Sequence, residues 1–241
     1  MKKTILFLRS ALFTILFYLW ALVVPLLIVW IVLFPKPVLY AGIRWWQRGV
    51  AWLERNVLGL SYEVIGLENV PEGACIIAAK HESASEACKP HILFGDPAVV
   101  VKEELTYIPI WGWYATASGM IPIDRGAGGS SLIKMMAAAE KAKAEGRKIV
   151  LFPQGTRVLP GVHKPYKVGV AALYQKLKVP VVPMALNSGL FWPKGRFIKT
   201  PGKMTFKILP PIPAGLPRAE MMRKLEAVLE AESDKLAGIE K

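Results

Sequence analysis

His81 and Glu86 have the types and the spacing needed to move a proton. An imidazole titrates near neutrality, and a carboxylate that accepts from one ring nitrogen fixes the tautomer and leaves the other nitrogen as a general base. In a continuous helix, positions i and i+5 lie about 140° apart. The two therefore meet only if His81 stands before a helix and Glu86 in its first turn. A plainer reading stays open beside this one: Ser83-Ala84-Ser85-Glu86 is also a capping box, in which the carboxylate serves only a backbone N–H. A second pair at the same interval, His91 and Asp96, is set aside on context. His91 follows Pro90 inside a helical segment, and Asp96 sits in a Gly-Asp-Pro turn. Ser83 and Ser85 lie outside any Gly-x-Ser-x-Gly elbow and read as helix-start residues rather than nucleophiles.

Three further strings follow His81-Glu82-Ser83-Ala84-Ser85-Glu86. They are Gly119-Met120-Ile121-Pro122-Ile123-Asp124-Arg125, Phe152-Pro153-Gln154-Gly155-Thr156-Arg157 and Val179-Pro180-Val181-Val182-Pro183. A phosphomonoester needs fixed cations, and Arg offers it a planar bidentate fork where Lys offers a point charge. Alone, any of these cations would read as a solvated side chain. Together, in this order and behind an apolar N-terminus, the four strings resemble the membrane-bound glycerolipid acyltransferases, in particular the lysophosphatidate acyltransferases.

The resemblance implies a role for each matching residue. His81 is the base and Glu86 its partner, where the family usually has Asp. Lys102 and Arg157 hold a glycerol phosphate with Arg125 in support. Gln154, Gly155 and Thr156 contribute to the substrate site, and Pro183 lies on the acyl-donor side. The block Val101-Lys102-Glu103-Glu104-Leu105 and the following Ile108-Pro109-Ile110 fit the family register from His81 and not from His91. Gln154 departs from the pattern, since the family usually has Glu there. It keeps hydrogen-bonding capacity but not the charge, which leaves a weakened or altered activity open.

These residues need a rigid frame, and after Gly66 the chain supplies the pattern of one. Short apolar runs alternate with helical stretches, the signature of an α/β domain with a mixed, largely parallel sheet flanked by helices. Strands are expected at Cys75–Ala79, Ala98–Val101, Lys148–Phe152, Val181–Leu186 and Met204–Ile208. Helices are expected at Ser130–Glu145, stopped by Gly146, at Val168–Leu177 and at Arg218–Leu236, the last a solvated closing helix. Pro183 within a strand run predicts an edge strand or a strand end. There is no internal repeat, and the chain divides into residues 1–60 and a catalytic domain at 61–241.

The first sixty residues read as membrane-associated. No charge falls between Ser10 and Phe34, a length that spans a hydrocarbon core of about 30 Å as a helix. It exceeds the apolar core of a secretory signal, and Pro25 leaves a re-entrant hairpin open. From Val38 to Leu60 the apolar residues Tyr40, Ile43, Trp46, Val50, Leu53 and Val57 recur at helical spacing. Arg44, Gln47, Arg48, Glu54 and Arg55 fall mostly elsewhere, which reads as an amphipathic helix at lipid headgroups or one packed on the domain.

The chain has 241 residues, a hydrophobic content of 53% and a net charge of +13. That balance favours a polyanionic partner, and the motifs favour a membrane surface over nucleic acid. Cys75 and Cys88 are too few for a disulfide framework and lack metal-ligand company, which fits a reducing compartment. The expectation is a membrane acyltransferase with its catalytic domain on the cytoplasmic side of a bacterial inner membrane. It would carry acyl groups from acyl-CoA or acyl-carrier protein to the 2-hydroxyl of 1-acyl-glycerol 3-phosphate. No metal or redox cofactor is implied, and the oligomeric state is not legible. Another lysolipid acceptor such as lyso-ornithine lipid, or a non-catalytic membrane-binding module, are the alternatives.

Overall fold

The computed structural model describes residues 3–124, 126 and 128–239. Its strands are β1 (Leu60–Ile65), β2 (Ile76–Ala79), β3 (Ala98–Lys102), β4 (Ile121–Ile123), β5 (Ile149–Leu151), β6 (Val181–Leu186) and β7 (Gly202–Ile208). They form one sheet in the order β1-β7-β6-β2-β5-β3-β4. From β6 to β4 all neighbours run parallel, β7 is antiparallel to β6, and β1 is parallel to β7. The mixed, largely parallel α/β sheet expected from the sequence is present. Its central strands are covered on both faces, which is why they read as unbroken apolar runs. Ile76 and Ala78 point to the layer of α5 (Gly128–Ala144), α6 (Gly169–Leu177) and α7 (Arg218–Leu236). Cys75, Ile77 and Ala79 point to the other side, with Phe94 of α3 (Pro90–Phe94). The parallel strands β6, β2, β5, β3 and β4 all end at one edge, where open α/β sheets place their ligands.

Two sequence expectations change here. β6 is an interior strand, so Pro183 is neither at an edge nor at a strand end. The sheet tolerates it because of its position in the ladder. Lys80 N–H bonds to the Met184 carbonyl and Ile76 N–H to the Pro180 carbonyl, so Pro183 turns its backbone toward the β7 side. Between the Ala185–Lys207 pair and the Val181–Ile212 bridge, the β7 side carries one residue more than β6. This is a bulge, and a missing N–H there costs no regular ladder bond. The Pro183 carbonyl is still used, by Leu209 N–H at 2.9 Å. The second change concerns α7, which is solvated on one face only and buries Met221, Leu225, Leu229, Glu230 and Ser233.

The N-terminal segment is a helical hairpin. α1 (Lys3–Leu27) and a 3-10 turn (Val29–Leu33) lead into α2 (Lys36–Leu53), which runs on through a π-helical turn at Glu54–Leu58 to Gly59. Gly59 takes φ +70, the left-handed conformation that ends helices, and β1 follows at once. Trp20 Nε1 donates to the Trp46 carbonyl at 3.0 Å and Trp46 Nε1 to the Trp20 carbonyl at 3.3 Å, which locks the two helices.

α1 also lies on the domain along its length. Lys199 N–H donates to Ser10 Oγ at 2.9 Å, Phe13 meets Trp192 edge-on at 5.1 Å, and Tyr114 Oη donates to the Pro25 carbonyl at 3.0 Å. Its opposite face is bare and apolar, through Leu8, Leu12, Ile15, Leu19, Leu22 and Leu26. It is the one helix among the described residues long and apolar enough to cross a membrane.

α2 corrects the expected wheel in part. Arg48, Arg55, Trp45 and Trp52 face outward, whereas Gln47 and Glu54 turn inward against the domain.

Candidate active site

Lys80 and His81 leave the carboxyl end of β2, and the chain turns back through Glu82 to Ser85 into a 3-10 turn at Glu86–Cys88. Pro90 stops that turn from continuing, so the helix expected after His81 is broken into this turn and the short α3. The arrangement still brings the pair together: His81 Nδ1 lies 2.8 Å from Glu86 Oε1. The same oxygen accepts Glu82 N–H at 2.8 Å and Ser83 N–H at 2.7 Å, and Oε2 accepts Ser188 Oγ at 2.7 Å. The capping-box reading and the catalytic reading therefore both describe Glu86. With the carboxylate on Nδ1, that nitrogen carries the proton and Nε2 presents its lone pair. The imidazole stacks on Phe152 with ring centroids 4.2 Å apart. The His81 side chain is 17% exposed and that of Glu86 0%, so the base is reachable while its anchor is not.

Gln154 is brought to the histidine, though not as a ligand contact. It is buried, and its Oε1 accepts the His81 backbone N–H at 3.0 Å. The His81 carbonyl takes Val158 N–H at 2.8 Å, so the string around Gln154 brackets His81 from both sides. Gly155 sits at φ +67 with the Lys167 chain against it, where a Cβ would meet Lys167 Cγ at 3.2 Å. Thr156 Oγ1 and the Arg157 carbonyl accept Lys194 Nζ at 3.2 and 3.1 Å. Arg157 is half-buried on the loop that follows β5. Lys102 stands at the carboxyl edge on β3, exposed and paired with Glu104 at 2.7 Å, and no hydrogen bond ties it to His81. Arg125 lies outside the described residues. Pro183 is buried in the sheet three register steps before His81, beside Ala78.

Several contributing residues have no signal in the sequence. Ser188 lies beyond the fourth string and reaches Glu86 only because β6 neighbours β2. Glu82 is buried beside Glu86 and accepts Gly189 N–H at 3.0 Å. Burial pushes its carboxyl up to about 8, so it is largely protonated at neutral pH. His91, the rejected candidate, is buried against Gln47. Desolvation, with Arg147 and Arg44 nearby, pushes it down to about 4, and Asp96 pairs with Arg44 instead. No group of His, Cys, Asp and Glu among the described residues is arranged to hold a metal ion.

Comparison with known proteins bears on the family and the fold. A family model described as Acyltransferase matches residues 61–187. A 1-acyl-sn-glycerol-3-phosphate acyltransferase from Pseudomonas aeruginosa is 34% identical over 144 residues, covering 60% of this chain and 56% of that protein. One from Saccharomyces cerevisiae is 32% identical over 151 residues, covering 60% and 49%. The chain thus spans about half the length of these curated relatives. The crystal structure of the 1-acyl-sn-glycerophosphate (LPA) acyltransferase PlsC from Thermotoga maritima superposes with a TM-score of 0.80 over 100% of both chains, at 22% identity. That likeness concerns the fold.

Proposed function

Because this chain belongs to the acyltransferase family, we propose that it moves an acyl group from a thioester to the 2-hydroxyl of 1-acyl-glycerol 3-phosphate, giving phosphatidic acid. The observation that carries the reading is the His81 Nδ1–Glu86 Oε1 contact, in which three further donors fix the carboxylate. His81 Nε2 takes the proton of the acceptor hydroxyl as its oxygen attacks the thioester carbonyl. The tetrahedral intermediate collapses with cleavage of the C–S bond, and the leaving thiolate takes the proton from the imidazolium. Glu86 stabilises that imidazolium while it exists. Arg157, with Lys102 and Arg125, binds the acceptor phosphate. The donor is acyl-CoA or acyl-carrier protein.

The hairpin supports a seat in one leaflet. α1 touches the domain at Ser10 and again at Pro25, so it runs along the domain rather than away from it. Driving it across the bilayer would pull charged surface into hydrocarbon. Lying in one leaflet, it turns its bare apolar face to lipid, with Trp45, Arg48 and Trp52 of α2 and Arg55 of the π-helical turn at headgroup level. The site would then face the cytoplasm of a bacterial cell.

The test is an acyl-transfer assay on purified full-length protein, with acyl-CoA and acyl-carrier protein each offered against lysophosphatidate and lyso-ornithine lipid. Phosphatidic acid is the expected product. Preference for the acceptor without a phosphomonoester would replace this reading.

A further inference from the structure

Lys80 is fully buried directly before His81. It continues the alternation of Ile76 and Ala78, so its side chain points into the α7 layer. There its ammonium pairs with the Glu230 carboxylate of α7. Glu230 Oε1 also accepts Tyr166 Oη at 2.7 Å, and Gln154 Nε2 approaches it at 3.5 Å. His163 Nε2 lies 3.3 Å from Oε2 on the outer side. Gln154 in turn holds the His81 backbone N–H. A closed circuit results: His81 main chain, Gln154, Glu230, Lys80, and back along the chain to His81.

A buried ammonium requires an anion close by. Position 154, which holds the His81 backbone and approaches the same Glu230 carboxylate, carries an uncharged amide. We propose that Glu230 is a positioning residue for His81, supplying from α7 the negative charge that Gln154 lacks and thereby fixing the strand end that carries the base. It touches no reacting atom, and the proposal rests on the reading of His81 as that base.

A charge relocation tests it, on full-length protein with kcat, KM for both substrates and Tm measured for each variant. Glu230→Gln should lower kcat at least tenfold and leave both KM values within about twofold, because the substrate sites are untouched. Gln154→Glu combined with Glu230→Gln returns one carboxylate to the circuit and should recover kcat to within about threefold of wild type. Gln154→Glu alone sets two carboxylates against one ammonium and should be less active than the double variant. A wild-type kcat in Glu230→Gln, or a double variant no better than Glu230→Gln, overturns the proposal. If Glu230→Gln does not fold, Lys80→Met with Glu230→Leu replaces the ion pair by apolar groups of similar volume. Full kcat there overturns the proposal equally, and a folded protein with kcat down tenfold supports it. His81→Ala is run in parallel: if it stays active, the base assignment has failed, whereas an inactive His81→Ala beside a fully active Glu230→Gln sinks the positioning role alone.

Discussion

Glu86→Gln separates the two jobs that one carboxylate performs here. Its Oε1 accepts Glu82 N–H, Ser83 N–H and His81 Nδ1, and an amide oxygen can accept all three. The new NH2 would face Ser188 Oγ, which can turn to accept. The loop should therefore persist and only the charge be lost. A hydrogen bond to a charged group is worth about 1.5–3 kcal/mol against about 1 for a neutral pair. When the imidazolium forms, the variant forgoes roughly 1–2 kcal/mol, which is about 5- to 30-fold in kcat. Tm should move by less than about 3 °C. Glu86→Ala, by contrast, leaves two buried N–H groups without an acceptor, at about 1–3 kcal/mol each, and should lose both Tm and activity. The assay pairs initial rates of acyl transfer with thermal unfolding in the same detergent. A folded Glu86→Gln with wild-type kcat would mean that the carboxylate only caps the loop, and the role given to its charge would be refuted.

Further outcomes follow from the same geometry. His81→Ala should lose about a hundredfold to ten-thousandfold in kcat, while His91→Ala, which alters a buried contact to Gln47, should keep most activity; equal losses would contradict the assignment. Burial holds the Glu82 carboxyl at about 8, above its ordinary 4.5, so its contribution to stability is full below about pH 4.5 and is lost as the pH rises through about 8. The Tm advantage of Glu82→Gln over wild type should accordingly widen from about pH 5 to about pH 8.5, and a constant difference would show that the carboxyl ionises freely. Arg157→Ala and Lys102→Ala should each cost roughly ten- to 150-fold in kcat/KM for lysophosphatidate and much less for a lysolipid without a phosphomonoester. Equal losses on both acceptors would assign these cations to the fold or the donor. Gly189→Ala should impair folding, since a Cβ would come within 2.9 Å of Glu82 Cβ and Pro160 Cδ; an unaltered Tm would show that the loop yields.

The sequence carried the central strands and long helices because each has a local signature. β6 and α7 match their expected bounds residue for residue, and α5 ends two residues before Gly146. β1 was hidden because Leu60–Ile65 alternates only weakly and its partner, β7, lies far down the chain. The two prolines make the limit concrete. Pro122 lies in β4, an edge strand, as the local rule demands, whereas Pro183 lies inside the sheet, where a bulge in a distant segment accommodates it. At the site, the His81–Glu86 pair was legible from spacing together with its context and its register to the other strings, since His91 and Asp96 share the interval. Ser188, Lys194 and Glu230 were not, because strand order and helix packing bring them there.

The pairing of β1 with β7 also dictates an order of assembly. The hairpin is translated early, yet Trp192 and Lys199, on which α1 rests, and β7, which anchors β1, come late, with only α7 after them. Contacts of such separation form late, after the intervening chain has closed its loop. For most of synthesis α1 therefore lacks the part of the domain on which its first half finally rests, and α2 is its early protein partner. If α1 enters the bilayer as proposed, insertion precedes completion of the sheet, and β7 docks beside a segment the bilayer already holds.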